Sequence, residues 1–267
     1  MGLSQCLNLL NDEITATHLD PINLMKEKEA VFARLDSYER ILVAPWVETQ
    51  FELDFGDHPN VWRVPSFNFP GYHPDHCNLS EIGGPLRGNH SAIAFAAFRC
   101  GLDVKQTVAL YRENIFAAMG YLDHWEAARA GFLARYTRAG FEMKQAFLEW
   151  SRCGPFAYIP AHPRIACLRD LAKAVLVRAD MEIKKTNVVP YDVMANAVIY
   201  PVYPEIASCL GIRGDYFFKL PTEYRLIGLR EFIEGEFAFY QDCAGLVPTT
   251  PYEATVARAM SVIEDAR

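Results

Sequence analysis

The stretch Phe69-Pro70-Gly71-Tyr72-His73-Pro74-Asp75-His76-Cys77 rules out a helix where the chain carries its densest set of reactive side chains. Proline fixes its own φ and drives the residue before it out of the helical region. His73, which precedes Pro74, is therefore extended or in a turn. Two imidazoles, a carboxylate and a thiol fall within five positions, on a backbone stiffened by two prolines and a glycine. Polar groups on a rigid loop are the usual form of a binding or catalytic site.

The rest of the chain sets bounds on what that loop serves. Its 267 residues suffice for one large domain or two modest ones, and half are hydrophobic, as in ordinary globular proteins. The net charge is -7 and the cations are scattered, the pair Lys184-Lys185 being the longest run. A nucleic-acid surface needs clustered cations, so none is expected. No apolar run approaches the roughly 20 residues of a membrane span, so no membrane insertion is expected. The N-terminus lacks the pattern of a signal peptide, and Cys6 stands where a myristoylation signal wants Ser or Thr. A cytoplasmic address follows as the expectation. Seven scattered cysteines with no C-x-x-C argue against a disulfide framework and a structural zinc, and point to buried, reduced thiols.

The pattern predicts an α/β fold: a small N-terminal α/β layer with short parallel strands, fused to a predominantly helical body. The layer spans 1–90 and includes the His-Pro loop; the body spans 91–267. Helices are predicted over Ser4–Ile14 and Asn23–Tyr38, and strands over Arg40–Ala44 and Val61–Phe67. Asp103 with Gln106 is a capping box opening a helix to Ala118. Further helices are expected at 121–138, 141–152, Pro163–Asp180 and Thr222–Tyr240, with a last one capped by Thr250 to Glu253. The aromatic-rich Phe232–Tyr240 stretch suits core or interface, and oligomeric state is left open.

Two His-Pro pairs are the candidate catalytic centres, His73-Pro74 and His162-Pro163. Asp75 is near enough in sequence to orient His73. His162 falls at the N-cap of the helix expected from Pro163, where the dipole keeps an imidazole neutral and able to accept a proton; a simple capping role is the plainer alternative. In an extended chain His73, Asp75 and Cys77 share a face. Pro74 interrupts the alternation and no second cluster has ligand spacing, so no metal is expected. Gly2-Leu3-Ser4-Gln5-Cys6 has the layout of a nucleophile on a strand-to-helix turn, with Ser4 as nucleophile and Gln5 near the oxyanion, although such a turn calls for a strand upstream. Arg87-Gly88-Asn89-His90-Ser91 leads into the first long helix, where Asn89 or Ser91 caps and the free N–H groups face an anion. Arg164 and Lys219 are further cations able to meet a phosphate; a solvated surface role is the plainer reading of each.

These residues together resemble the WcbI family of capsular polysaccharide biosynthesis enzymes. The likeness rests on the F-x-G-Y-H-P-D core at Phe69 to Asp75, on Cys100-Gly101-Leu102 before a helix ending near Met119-Gly120-Tyr121, and on the aromatic Phe156–Pro163 segment with its His-Pro. It covers roughly residues 1–240. The family's G-N-C-Q motif corresponds to Gly2-Leu3-Ser4-Gln5, with Ser4 in place of the cysteine, and a serine needs a base more than a thiol does. The resemblance implies a coenzyme A or acetyl-CoA cosubstrate, with Gln5, Arg87, Asn89, His90, Arg164 and Lys219 as candidate contacts, and a sugar or glycan acceptor.

The expected activity is O-acyl transfer to a sugar hydroxyl in surface polysaccharide synthesis, with His73 or His162 as base, either directly or through an acyl group on Ser4. An esterase using Ser4, His and Asp, and a non-catalytic ligand-binding module, are the alternatives. The acceptor and acyl chain depend on a pocket assembled from distant segments.

Overall fold

A computed structural model describes residues 1–266, and the chain packs as two compact units built from interleaved segments. The first holds Met1–Asn68, Gly131–Glu149 and Ile165–Tyr191; the second holds Phe69–Ala130, Trp150–Arg164 and Asp192–Arg267. The fold is α/β in the sense expected: a pair of short parallel strands near the N-terminus, and helices through most of the remainder.

In the first unit Ile41–Val43 pairs in parallel with Val61–Arg63, Ile41 opposite Val61. Val43 and Val61 bury into one cluster with Leu24, Val31, Val47, Leu53 and Phe55. The single helix expected over Asn23–Tyr38 is instead Pro21–Lys26, Lys28–Phe32 and a 3-10 turn at Leu35–Ser37. Its backbone leaves helical geometry at Glu27, and the bend carries both Leu24 and Val31 into that cluster. Helix Gly2–Leu10 packs on helix Ile165–Arg178, burying Cys6, Leu7 and Leu10. Gly2 marks the closest approach, since a Cβ there would lie 2.7 Å from Leu168 Cδ1.

The second unit is centred on helix Ala92–Arg99, buried along Ala92 to Ala97 and packed against helices Leu229–Asp242 and Glu253–Asp265. Ser91 caps it, its Oγ accepting from Ala94 N at 3.0 Å. The capping box at Asp103 and Gln106 forms, but its helix is only Val104–Val108. The chain breaks there to bury Leu110 and Tyr111, then resumes as Glu113–Met119 until Gly120 turns it at φ 75°. The helix expected from Thr222 begins at Leu229, because 217–219 and 226–228 alternate as an antiparallel hairpin with Phe218 and Ile227 inward. Phe232, Ile233, Phe237 and Tyr240 are core.

The packing divides the chain elsewhere than at residue 90. The His-Pro loop belongs with the second unit because the Asp75 carbonyl accepts Ala92 N at 2.8 Å and its carboxylate accepts Ile93 N at 3.0 Å. The thiols are less uniformly buried than expected. Cys6, Cys77 and Cys167 are interior, whereas Cys153 and Cys209 are exposed.

Candidate functional site

Pro70–Tyr72 forms a 3-10 turn, tightened where Phe69 N donates to Pro160 O at 2.8 Å. Gly71 is required there: a Cβ would sit 2.5 Å from the Phe69 ring. His73 N then donates to Pro70 O and His76 N to His73 O, so the loop folds back and carries its polar side chains inward. His73 retains 2% exposure, and neither ring nitrogen has a hydrogen-bond partner. It lies on the lining of a cleft of about 290 Å³ shared with Tyr158, Tyr200, Arg164, Arg213 and Lys219. Burial, aided by neighbouring His76, pushes its pKa down to about 3, against a weaker opposing effect of the Tyr200 backbone. The ring is neutral at physiological pH, with a lone pair to offer.

Asp75 does not orient it. The fully buried carboxylate accepts hydroxyls from Tyr203 at 2.8 Å, Tyr121 at 3.1 Å and Tyr200 at 3.3 Å, besides Ile93 N. Burial raises its pKa, and hydrogen bonds from Ser91, Ile93 N, Tyr203 and Tyr121 partly offset the rise. No cation is among those partners. Tyr200 touches both groups, its hydroxyl donating to Asp75 and its ring meeting the His73 imidazole edge-on at 5.7 Å.

The other histidines have separate duties. His76 Nε2 bonds Asn89 Oδ1 at 2.9 Å, and burial lowers its pKa to about 4. His90 is fully buried, with Nδ1 2.6 Å from Glu236 Oε2, which also accepts the Tyr240 hydroxyl. His162 is not an N-cap: Pro163 pairs with Ala157 and His162 with Ile159 in a two-stranded turn, and the helix starts at Ile165. Its Nδ1 is buried without a partner, and burial lowers its pKa.

Among the expected cations, Arg164 and Lys219 share the cleft with His73. They differ in availability. Lys219 Nζ donates to the carbonyls of Asn196 and Ala197, each at 3.1 Å, and of Leu220 at 3.4 Å. All three donors of its ammonium are thus engaged. Arg164 is exposed, its guanidinium 5.5 Å from the Tyr158 ring. Arg87 is exposed on a turn with φ 48° and is outside the cleft lining. Asn89 donates to Leu86 O while serving His76, so neither it nor His90 faces an anion.

Ser4 and Gln5 belong to the first unit, within helix Gly2–Leu10 rather than on a turn into it. Ser4 Oγ donates to Met1 O at 2.8 Å, and Gln5 is exposed.

The family model for the polysaccharide biosynthesis enzyme WcbI matches residues 3–184. The chain belongs to the WcbI family. Members of that family are polysaccharide biosynthesis enzymes. A solved structure of WcbI, described as its native form without a disulfide between coenzyme A and one of its cysteines, shares the fold with a TM-score of 0.53. Identity is 13%, over 94% of this chain and 83% of that one. No curated protein matches the sequence. No group of His, Cys, Asp or Glu suited to a metal occurs among the described residues, and no described helix is long and apolar enough to cross a membrane.

Sequence reasoning missed Arg213 and the tyrosines. Arg213 reaches the cleft because Gly214 presses against Val202 and Pro204; a Cβ there would fall 2.7 Å from Val202 O and 2.9 Å from Pro204 Cα. The glycine was the one available signal. Tyr121, Tyr200 and Tyr203 meet Asp75 across 46 to 128 residues of chain, with no local pattern.

Proposed function

We propose that the chain is a cytoplasmic acyltransferase that moves an acetyl group from acetyl-CoA to a sugar hydroxyl in surface polysaccharide synthesis. The observation that carries this reading is the buried imidazole of His73, its ring nitrogens without a hydrogen-bond partner, on the lining of a cleft that also holds Arg164 and Arg213. Family membership supports the polysaccharide context, and the coenzyme A named for the WcbI structure supports the donor.

His73 accepts the hydrogen of the acceptor hydroxyl and takes its proton as the sugar oxygen attacks the thioester carbon. A C–O bond forms, the C–S bond breaks, and the proton passes from His73 to the departing thiolate. Arg164 and Arg213 hold phosphate groups of the coenzyme, the pairing for which a guanidinium fork is best suited. An acyl-enzyme on Ser4 is not part of this scheme, since its hydroxyl is committed to Met1 O rather than to an imidazole. The same contact removes the support for a Ser4 esterase.

The test is release of free coenzyme A from acetyl-CoA in the presence of a panel of sugar nucleotides. The wild type should release thiol only with an acceptor present, His73→Ala should lose about a hundred-fold or more, and Ser4→Ala should keep most of the rate. Equal rates for His73→Ala and wild type would reject the scheme.

A further inference from the structure

The hairpin 217–219/226–228 carries an apolar surface that the coenzyme contacts leave unused. Its register sets Phe217 opposite Gly228, Phe218 opposite Ile227 and Lys219 opposite Leu226. Side chains alternate across a strand, so Phe218 and Ile227, at 0% and 3% exposure, fix which face is core. Phe217, Lys219 and Leu226 take the other face, and all three line the cleft of His73. Because the Lys219 ammonium is held by backbone carbonyls, it adds only its methylene stem to this wall. Phe217 keeps 57% of its surface exposed and Leu226 60%. Asp215, also on the lining, accepts Phe217 N on its Oδ1 at 2.9 Å, which holds the carboxylate against the backbone that carries the ring. Asp215 N in turn donates to Val202 O at 3.0 Å, anchoring the pair to the core.

We infer that Phe217 and Asp215 form the acceptor subsite and that it takes a pyranose ring. An aromatic face beside a carboxylate matches the two sides of such a sugar. The axial C–H face lies on the ring and is removed from water, while hydroxyls at the edge donate to Asp215 Oδ2. A cleft wall of this composition, apolar with a few fixed polar groups, is the general form of a specificity site. The inference rests on the acyl-transfer reading for what happens to the bound sugar, but not for the binding itself.

Saturation-transfer NMR tests it, with methyl pyranosides of glucose, galactose and mannose as probes and irradiation of protein aromatic protons. At least one pyranoside should receive saturation at its ring C–H protons in the wild type. Phe217→Ala should weaken its binding roughly ten-fold, Phe217→Tyr should restore it, and Asp215→Asn should weaken it while keeping the C–H pattern. Phe217 is largely exposed, so the alanine variant retains its fold. Coenzyme A titration of the same variants separates the two ideas. No saturation from any pyranoside, or equal saturation in wild type and Phe217→Ala, overturns the subsite. Loss of coenzyme A affinity in Phe217→Ala also overturns it, because the ring would then belong to the coenzyme. Phe217-dependent sugar binding in a protein that binds no coenzyme A would leave the subsite standing and remove acyl transfer.

Discussion

The carboxylate of Asp75 accepts the Tyr203 hydroxyl at 2.8 Å and makes no hydrogen bond to the imidazole two residues before it. A buried carboxyl held by three phenols and a backbone N–H is a fastening for the structure around the loop. Asp75→Ala strands those donors and should cost about 3 kcal/mol or more of unfolding free energy. Asp75→Asn, which keeps an acceptor of the same shape, should cost appreciably less. Urea denaturation of the two variants checks the order; an Asp75→Ala variant as stable as wild type would refute the assignment.

Two buried histidines set an acid limit on the fold. His73 and His76 have pKa values near 3 and 4 in the native state, against about 6.5 unfolded. As pH falls below 6.5 the unfolded chain binds protons that the native state refuses, so stability drops, and each group adds a slope of up to about 1.4 kcal/mol per pH unit around pH 5. Asp75, whose pKa is raised, works in the opposite direction through the carboxylate range, since its native form holds a proton longer. With two histidines against one carboxyl, urea midpoints should fall from pH 7 to pH 5, and His76→Gln should flatten that dependence. Identical slopes in variant and wild type would contradict the burial of His76.

Gly214 should tolerate no side chain. The atoms it would strike include Val202 O and Pro204 Cα, which are backbone and cannot rotate away. Gly214→Ala should destabilise by about 1–3 kcal/mol and weaken coenzyme A binding by shifting Arg213. A variant with wild-type stability and affinity would show that the segment gives way.

Thiol chemistry provides a map of the interior. Cys153 and Cys209 are exposed, whereas Cys6, Cys77 and Cys167 are buried, and burial raises the Cys6 pKa to about 11 and lifts that of Cys77 well above the ordinary thiol range. Since the thiolate is the reactive form, a disulfide reagent at neutral pH should modify Cys153 and Cys209 promptly and the three interior thiols only after denaturation. Prompt modification of Cys6 would mean that helix Gly2–Leu10 detaches from its partner helix.

What the sequence disclosed follows from how local its physics is. The His-Pro loop was legible because two prolines and Gly71 constrain the backbone whatever surrounds them, and the parallel strands because Ile41–Val43 is a short apolar run and Val61–Arg63 opens with a β-branched and an aromatic residue. The error at His162 came from weighing Pro163 as a helix-starting residue when the pairing of Ala157–Ile159 with His162–Pro163 takes it first. Asp75 looked like a partner for His73 because spacing cannot foresee Tyr203, 128 residues on. Arg213 was hidden for the same reason, while Lys219 was visible as a cation but not as one already saturated by carbonyls.

Calorimetric titration with coenzyme A tests the central claim most directly. Wild type should bind saturably at an affinity on the order of micromolar. Arg213→Ala should weaken binding about ten-fold or more, Arg87→Ala should leave it unchanged, and His73→Ala should retain binding while losing transfer. Absence of binding in the wild type, or affinity that depends on Arg87 and not on Arg213, would contradict the account.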